Sequence, residues 1–245
     1  MITVLTVNYN TPDYLERLLI SFRKFYPDLP YFVIDGSSEE NYRKISKFDK
    51  KFKIQLVHFT HNIHHGPGMT YGIKQIKTDQ ILLADSDMIV HSGRWLEMME
   101  NELREDSYGI GDIQKEYYLE NKTTHIHQAP VTVDRIRTQR RRMDGRRLPV
   151  TRSSTSTIKV WVDYLHPALT LINKNVVLRY PMPIKGGAPL IEAMKQIWLE
   201  KNTRILQRAQ WLTDDLWQHK CCFVQHNGDH SGMGTVRATN GYHLD

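Results

Sequence analysis

Apolar residues recur with two alternating periods through the first hundred positions of the chain. The run ITVLTVN (2–8) is short, β-branched and apolar, and reads as a strand. In TPDYLERLLISFRKF (11–25), Leu15, Leu18, Leu19 and Phe22 recur at helical spacing. Thr11 stands at the N-cap, Pro12 at the first helical position and Asp13 in the first turn. PYFVID (30–35) is a second strand, ended by Gly36-Ser37-Ser38. A polar stretch of helical character then leads to a third strand, KIQLVHF (53–59). GPGMTYGIKQIK (66–77) opens on glycine turn signals and continues as a helix, and QILLAD (80–85) is the fourth strand. Strands alternating with helices predict an α/β fold, with a mostly parallel sheet flanked by helices. Ligands of such sheets bind beyond the carboxyl ends of the strands, which places Asn8, Asp35 and Asp85 at one rim.

The second half is less regular. SGRWLEMMENELRE (92–105) reads as a helix whose Trp95, Met98, Met99 and Leu103 form a stripe facing the core. Strand-like composition resumes in STIKVWVDYLHPALTLI (156–172), followed by an amphipathic helix at 188–201. WLTDDLWQHK (211–220) reads as a short helix or turn and CCFVQH (221–226) as a strand. No repeat and no linker separates the parts. A single domain over 1–245 is expected, with a regular half (1–105) and an irregular half (106–245).

Composition adds little to this, since 40% hydrophobic and 24% charged residues are ordinary for a soluble globular protein. No apolar run approaches the ~18 residues that span a bilayer, and MITVLTVNYN lacks the pattern of a signal peptide. The two cysteines, Cys221 and Cys222, are neighbours, which offers no disulfide framework and fits a reducing compartment; a cytoplasmic location is expected. Charge is more informative once it is located. Arg135, Arg137, Arg140, Arg141, Arg142, Arg146, Arg147 and Arg152 face only Asp144 within 135–152. That segment carries +7 and leaves −1 on the rest of a chain of net charge +6. Gly145 and Pro149 break any periodicity there, so the segment reads as a loop.

The most apolar strand stops abruptly in ILLADSDMIV (81–90) on two carboxylates, Asp85 and Asp87, separated by Ser86. Ionised carboxylates beside an apolar core are costly unless paired. Either the strand surfaces into a solvated turn, or the acids offer hard oxygen ligands to Mg²⁺ or Mn²⁺ whose remaining ligands are phosphate oxygens and water. The position at the ligand-binding rim favours the metal. Asp35, at the end of the second strand, can accept a hydrogen bond from a base edge or a ribose hydroxyl, or simply initiate the turn at Gly36.

TVNYNTPDYLERLLISF, then FVIDGSS, then GPGMTYGIKQIKTDQILLADSDMIV, in this order and spacing, resemble the GT-A fold of family 2 glycosyltransferases, phage-type enzymes among them. The likeness covers about the first 100 residues and resumes weakly near the C-terminus. It implies that residues 1–105 bind a nucleotide sugar, most simply a UDP-sugar. Val7, Asn8, Tyr9, Asn10 and Asp35 would hold the nucleoside side, with Asp85 and Ser86 at the diphosphate. Asp85 and Asp87 would be metal ligands. One departure is plain: where the family's helix carries an arginine and an asparagine, this chain has Met69 and Thr70, and Lys74 or the arginine loop is left to supply a phosphate contact.

The resemblance extends to the acidic pair Asp214-Asp215 in WLTDDLWQHK. It makes Asp215 the general base that takes the proton of the acceptor hydroxyl, and Asp214 its neighbour in positioning. Single displacement with inversion needs such a carboxylate near the attacking hydroxyl and a metal on the leaving diphosphate. Two acids in a first helical turn can also merely complement its dipole. In VQHNGDHSG the family's late histidine is matched by His226, with His230 in reserve, as a third metal ligand. His61, His64 and His65 have no matching cysteine pair, and no zinc site is read from them. Gly186-Gly187 lie on the acceptor side or simply in a loop before a helix. The arginine loop implies a polyanionic partner, because guanidinium forks match phosphate oxygens. Nucleic acid, for example a hydroxymethylated pyrimidine in DNA, and a lipid-linked or surface glycan are the two acceptors considered. A sugar-phosphate nucleotidyltransferase is disfavoured because VNYNTPD has no phosphate-cradling glycine. A non-catalytic nucleic-acid binder is the alternative of another class.

Overall fold

The computed structural model describes residues 1–119, 122–125, 159–184, 188–211 and 224–226. Its central sheet begins with four parallel strands: β1 (Ile2–Asn8), β2 (Tyr31–Asp35), β3 (Gln55–His58) and β4 (Gln80–Ala84), in the order β3-β2-β1-β4. They are connected through α1 (Pro12–Phe25), α2 (Glu39–Ile45) with α3 (Phe48–Phe52), and α4 (His65–Gln75). Register sets Asn8 opposite Asp35 and Asp35 opposite His58, so the last residues of β1, β2 and β3 share one rim.

Neighbouring apolar residues on each strand serve opposite faces. Val4, Val33 and Leu82 pack with Leu15, Leu18 and Phe22 of α1 and with Trp95 and Met99 of α5 (Trp95–Glu102). Leu5, Ile34 and Leu83 pack on the other face, with Met69 and Ile73 of α4. The expected stripe of the 92–105 segment is therefore core at Trp95, Met99 and Leu103, with Leu96 added to it; Met98 is half-buried. Gly68 of α4 lies so close to β1 that a Cβ there would stand 2.7 Å from Val7 Cγ1. Gly68→Val is expected to cost about 1–3 kcal/mol, read as a lowered urea midpoint, by pushing the end of β1 away from the helix.

Beyond β4 the sheet turns antiparallel. A short β5 (Met88–Val90) follows β4 and pairs with β10 (Val224–His226) as a separate ribbon. β6 (Gly109–Leu119) pairs antiparallel with β7 (Lys122–His125) and β8 (Lys159–Asn173), and β8 pairs antiparallel with β4; the exception in this half is β9 (Leu206–Arg208), which runs parallel to β6. The helices of this half are α6 (Lys174–Val177) and α7 (Ile191–Leu199). The eleven-residue β6 has no counterpart in the sequence reading. Its Asp112 and Glu116 are buried polar residues and its Gly109 and Gly111 carry no side chain, so the apolar signal of an interior strand is absent. Between Gly111↔Thr170 and Ile113↔Leu165 the register slips, and His166–Leu169 bulge opposite Asp112. The bulge reaches the carboxyl end of β4, where Asp85 N–H donates to Ala168 O at 3.0 Å. Bulges of this kind re-aim side chains beside functional sites.

Candidate functional site

The rim is built from strand ends. Asp35 is fully buried and both its oxygens are engaged. Oδ1 accepts from Asn8 Nδ2 (2.8 Å) and from Ser37 Oγ (2.6 Å), and Oδ2 pairs with His58 Nδ1 (2.8 Å). His58 in turn stacks on Tyr42, ring centroids 3.7 Å apart and 13° from parallel. The next turn is held the same way. Asn10 has φ 56°, a left-handed conformation that asparagine tolerates. Its N–H donates to Ser37 Oγ (2.8 Å), and its Oδ1 accepts from Ser38 N–H (2.8 Å) and Asn41 Nδ2 (3.1 Å). Val7 is half-buried beneath Gly68, and Tyr9 is half-buried at the rim.

Thr11 occupies the N-cap position of α1 as expected, but its hydroxyl caps nothing. It donates instead to Asn8 Oδ1 at 2.6 Å and lies 3.3 Å from Ser86 Oγ. A threonine has one O–H to give. With that proton on Asn8, the Ser86 hydroxyl is the donor in the second contact. The D-S-D turn is thereby tied to β1 and β2 from within. Met88 N–H donates to Asp85 O (3.2 Å) and closes the turn. Ser86 and Asp87 are 7% and 3% exposed, so the segment is not a solvated surface turn. Asp85 is partly open, and His65 Nε2 at the start of α4 lies 3.4 Å from its Oδ1. The residue before it, His64, has φ 62° and ψ 159°, a region that costs a non-glycine residue roughly 1–3 kcal/mol.

On the far side of Asp85, burial raises the Tyr164 hydroxyl well above the usual phenol range, and the nearby acids Glu116 and Asp85 add to the rise. Tyr164 and His166 meet edge to face. Asp112, fully buried, accepts from Gln114 Nε2 (2.7 Å) and lies 3.7 Å from Arg208 Nη1.

Asn8, Asp35, Ser86 and the D-S-D turn are thus brought together, as the rim rule implies. Met69, at the position of the family's arginine, is 2% exposed in the core, and Thr70 Oγ1 donates to Pro183 O. Lys74 is exposed. His226 is described in its backbone only: it pairs with Met88, the residue after Asp87. Asp214, Asp215, Gly186, Gly187, His230 and the arginines from Arg135 to Arg152 lie outside the described residues. The sequence reads Thr11 as a helix cap, sets His65 aside as a zinc ligand, and takes Ser37 and His58 only as parts of a turn and a strand; the structure joins all four to the rim. Ser37 carried a usable signal, two residues after a strand-ending aspartate; His58 and His65 carried none beyond their places at the end of β3 and the start of α4. Among the described residues, no group of three or more His, Cys, Asp or Glu side chains converges to hold a metal ion. Two carboxylates on one turn nevertheless suit a hard cation that draws its remaining ligands from substrate phosphates and water. No described helix is long and apolar enough to cross a membrane.

Four parallel strands with ligand-side polar ends, continued by an antiparallel half, form a GT-A sheet. Residues 3–160 match the family model described as Glycosyl transferase family 2, and the chain belongs to that family. In structure it is similar to the mannosyltransferase PcManGT from Pyrobaculum calidifontis in complex with GDP-Man and Mn²⁺, at 10% identity and TM-score 0.51, over 87% of this chain and 58% of that one. It is also similar to S. aureus TarS 1–349 in complex with UDP (14% identity, 91% and 59% covered, TM-score 0.49). A third likeness is to the galactosyltransferase LgtC in complex with donor and acceptor sugar analogs (15%, 92% and 86%, TM-score 0.47). The chain spans between 20% and 59% of the TarS and PcManGT chains it matches. No curated protein matches it in sequence.

Proposed function

We propose that this chain transfers a sugar, with inversion, from a nucleoside diphosphate sugar to a hydroxyl acceptor, using a divalent cation at Asp85 and Asp87. The observation that carries this reading is the buried D-S-D turn at the end of β4, hydrogen-bonded through Thr11 and Asn8 to Asp35. Membership of the family and the likeness to a mannosyltransferase solved with GDP-Man and Mn²⁺ support it. Asn8, Asn10 and Asp35 shape the pocket for the nucleoside, with Val7 and Tyr9 beside them. Asp85 and Asp87 hold Mn²⁺ or Mg²⁺, and Ser86 keeps their turn in place. His226 is a further ligand in this reading, because its strand runs beside the turn. The cation, when bound, neutralises charge on the departing diphosphate. Asp215 takes the acceptor proton, and Asp214 positions acceptor or base.

The arginine loop 135–152 points to a polyanionic acceptor, DNA carrying a hydroxymethylated pyrimidine ahead of a lipid-linked or surface glycan. The sparse cysteines suit a reducing, cytoplasmic setting. A panel of UDP- and GDP-sugars with Mn²⁺, followed by nucleoside diphosphate release with and without hydroxymethylated DNA, tests donor and acceptor together. Asp215→Asn is expected to lower acceptor-dependent release by about 10²–10⁴-fold and to leave donor binding intact. Unchanged release at saturating acceptor removes Asp215 from the chemistry.

A further inference from the structure

The buried polar groups between β2 and the D-S-D turn form one continuous hydrogen-bonded line. The donor inventory fixes its direction. Ser86 O–H donates to Thr11 Oγ1, Thr11 O–H to Asn8 Oδ1, and Asn8 Nδ2 to Asp35 Oδ1. Asp35 closes the line as a carboxylate, which also accepts from Ser37 and His58. Asn8, Thr11, Asp35 and Ser86 are each 7% exposed or less, so water does not compete for these bonds. The line has a cost that helps identify it. Thr11 stands where a side-chain oxygen ordinarily caps a helix, yet α1 has no side-chain cap.

We infer that Thr11 is a positioning residue that couples the two halves of the proposed donor site, so that filling the nucleoside pocket around Asp35 and Asn8 tightens cation binding at Asp85 and Asp87. This rests on the donor-site reading above. The physical basis is ordering. A nucleoside seated against the half-buried Tyr9 and Asn10 reaches the line through Ser37, which accepts from Asn10 N–H and donates to Asp35. It thereby steadies Asp35 and Asn8, the acceptor that Thr11 needs, and Thr11 then holds Ser86 and the turn bearing both acids. A second ligand entering an already ordered turn loses less conformational freedom. Thr11 touches neither ligand in this scheme and acts only through Asn8 and Ser86.

The coupling is measurable without catalysis. Uridine and guanosine, which carry no phosphate, cannot reach the cation directly, so any effect on Mn²⁺ passes through the protein. Mn²⁺ affinity is read by electron paramagnetic resonance with and without saturating uridine or guanosine. In the wild-type chain the favoured nucleoside is expected to tighten Mn²⁺ binding about fivefold or more, and Mn²⁺ to tighten nucleoside binding by the same factor. Thr11→Val, which keeps the shape and removes the hydroxyl, is expected to bring both factors to about one while each ligand still binds alone; Thr11→Ser restores them. Should Thr11→Val fail to fold, Ser86→Ala breaks the same line from the other end. Coupling that survives in Thr11→Val or Ser86→Ala, or that is missing from the wild type, overturns the inference. Mn²⁺ that fails to bind the wild type even with UDP or GDP overturns the donor-site reading itself, a separate result.

Discussion

Mn²⁺-dependent binding of a nucleoside diphosphate is expected to fall by about a hundredfold in the Asp85→Ala, Asp87→Ala double variant, and sugar transfer by roughly a thousandfold. The reason is the composition of the turn. The cation would have these two carboxylates as its fixed ligands and would take the others from substrate and water. Removing both leaves a buried turn with no anionic oxygen to hold it. The loss corresponds to several kcal/mol of charge stabilisation at the departing diphosphate. The check is a manganese titration by paramagnetic resonance in the presence of UDP or GDP, beside a transfer assay. Unaltered manganese affinity in the double variant would dismiss these acids as the metal site. The same variant separates an enzyme from a nucleic-acid binder: salt-sensitive DNA binding that survives it, with no turnover of any nucleotide sugar, would favour the binder.

The largest effect on stability is expected at Asp35. Alanine there strips Asn8 Nδ2, Ser37 Oγ and His58 Nδ1 of their shared acceptor in a site closed to water. Buried donors left without partners, together with the lost charged bond, should cost about 3–5 kcal/mol. Asp35→Asn discriminates the cause. The amide oxygen can keep the bonds from Asn8 and Ser37, while the amide N–H₂ faces His58. The imidazole accommodates it by moving its own proton to Nε2, so that Nδ1 accepts. The asparagine variant should lose only about 1 kcal/mol. Urea unfolding with linear extrapolation reads both values. Equal losses in the two variants would mean that packing around the side chain matters more than its acceptor oxygens.

Legibility differed sharply along the chain. The parallel half was readable because local signals agreed with one another. β-Branched runs, helical spacing in α1 and the glycines opening α4 each named their element, and a polar residue ended each strand at the rim. Family membership over residues 3–160 matches the resemblance carried by those same motifs. The antiparallel half was not readable in this way. β6 is paired on both sides only at its ends, with β9 at Gly109–Gly111 and with β7 at Tyr118 and Leu119; between them it meets β8 alone and carries Asp112, Gln114 and Glu116 on alternate positions, so the apolar run that marks an interior strand is missing. The three residues Met88–Val90 following the two acids form a strand only because β10 comes to meet them.

What the sequence settled by itself was the allocation of residues to faces and ends. Val4 and Leu5, Val33 and Ile34, Leu82 and Leu83 divide between the two faces because successive side chains of a strand point opposite ways, and that rule needs no partner strand. What only the tertiary structure decided was which polar atoms meet. Thr11 and Ser86 are 75 positions apart, and Asn8 and Asp35 are 27 apart. A helix cap and a buried link were both open to the Thr11 hydroxyl. The choice fell to the link because strand register sets Asn8 beside Asp35 and brings the end of β4 within hydrogen-bonding distance, and a hydrogen bond weakens within a fraction of an ångström that no one-dimensional pattern encodes.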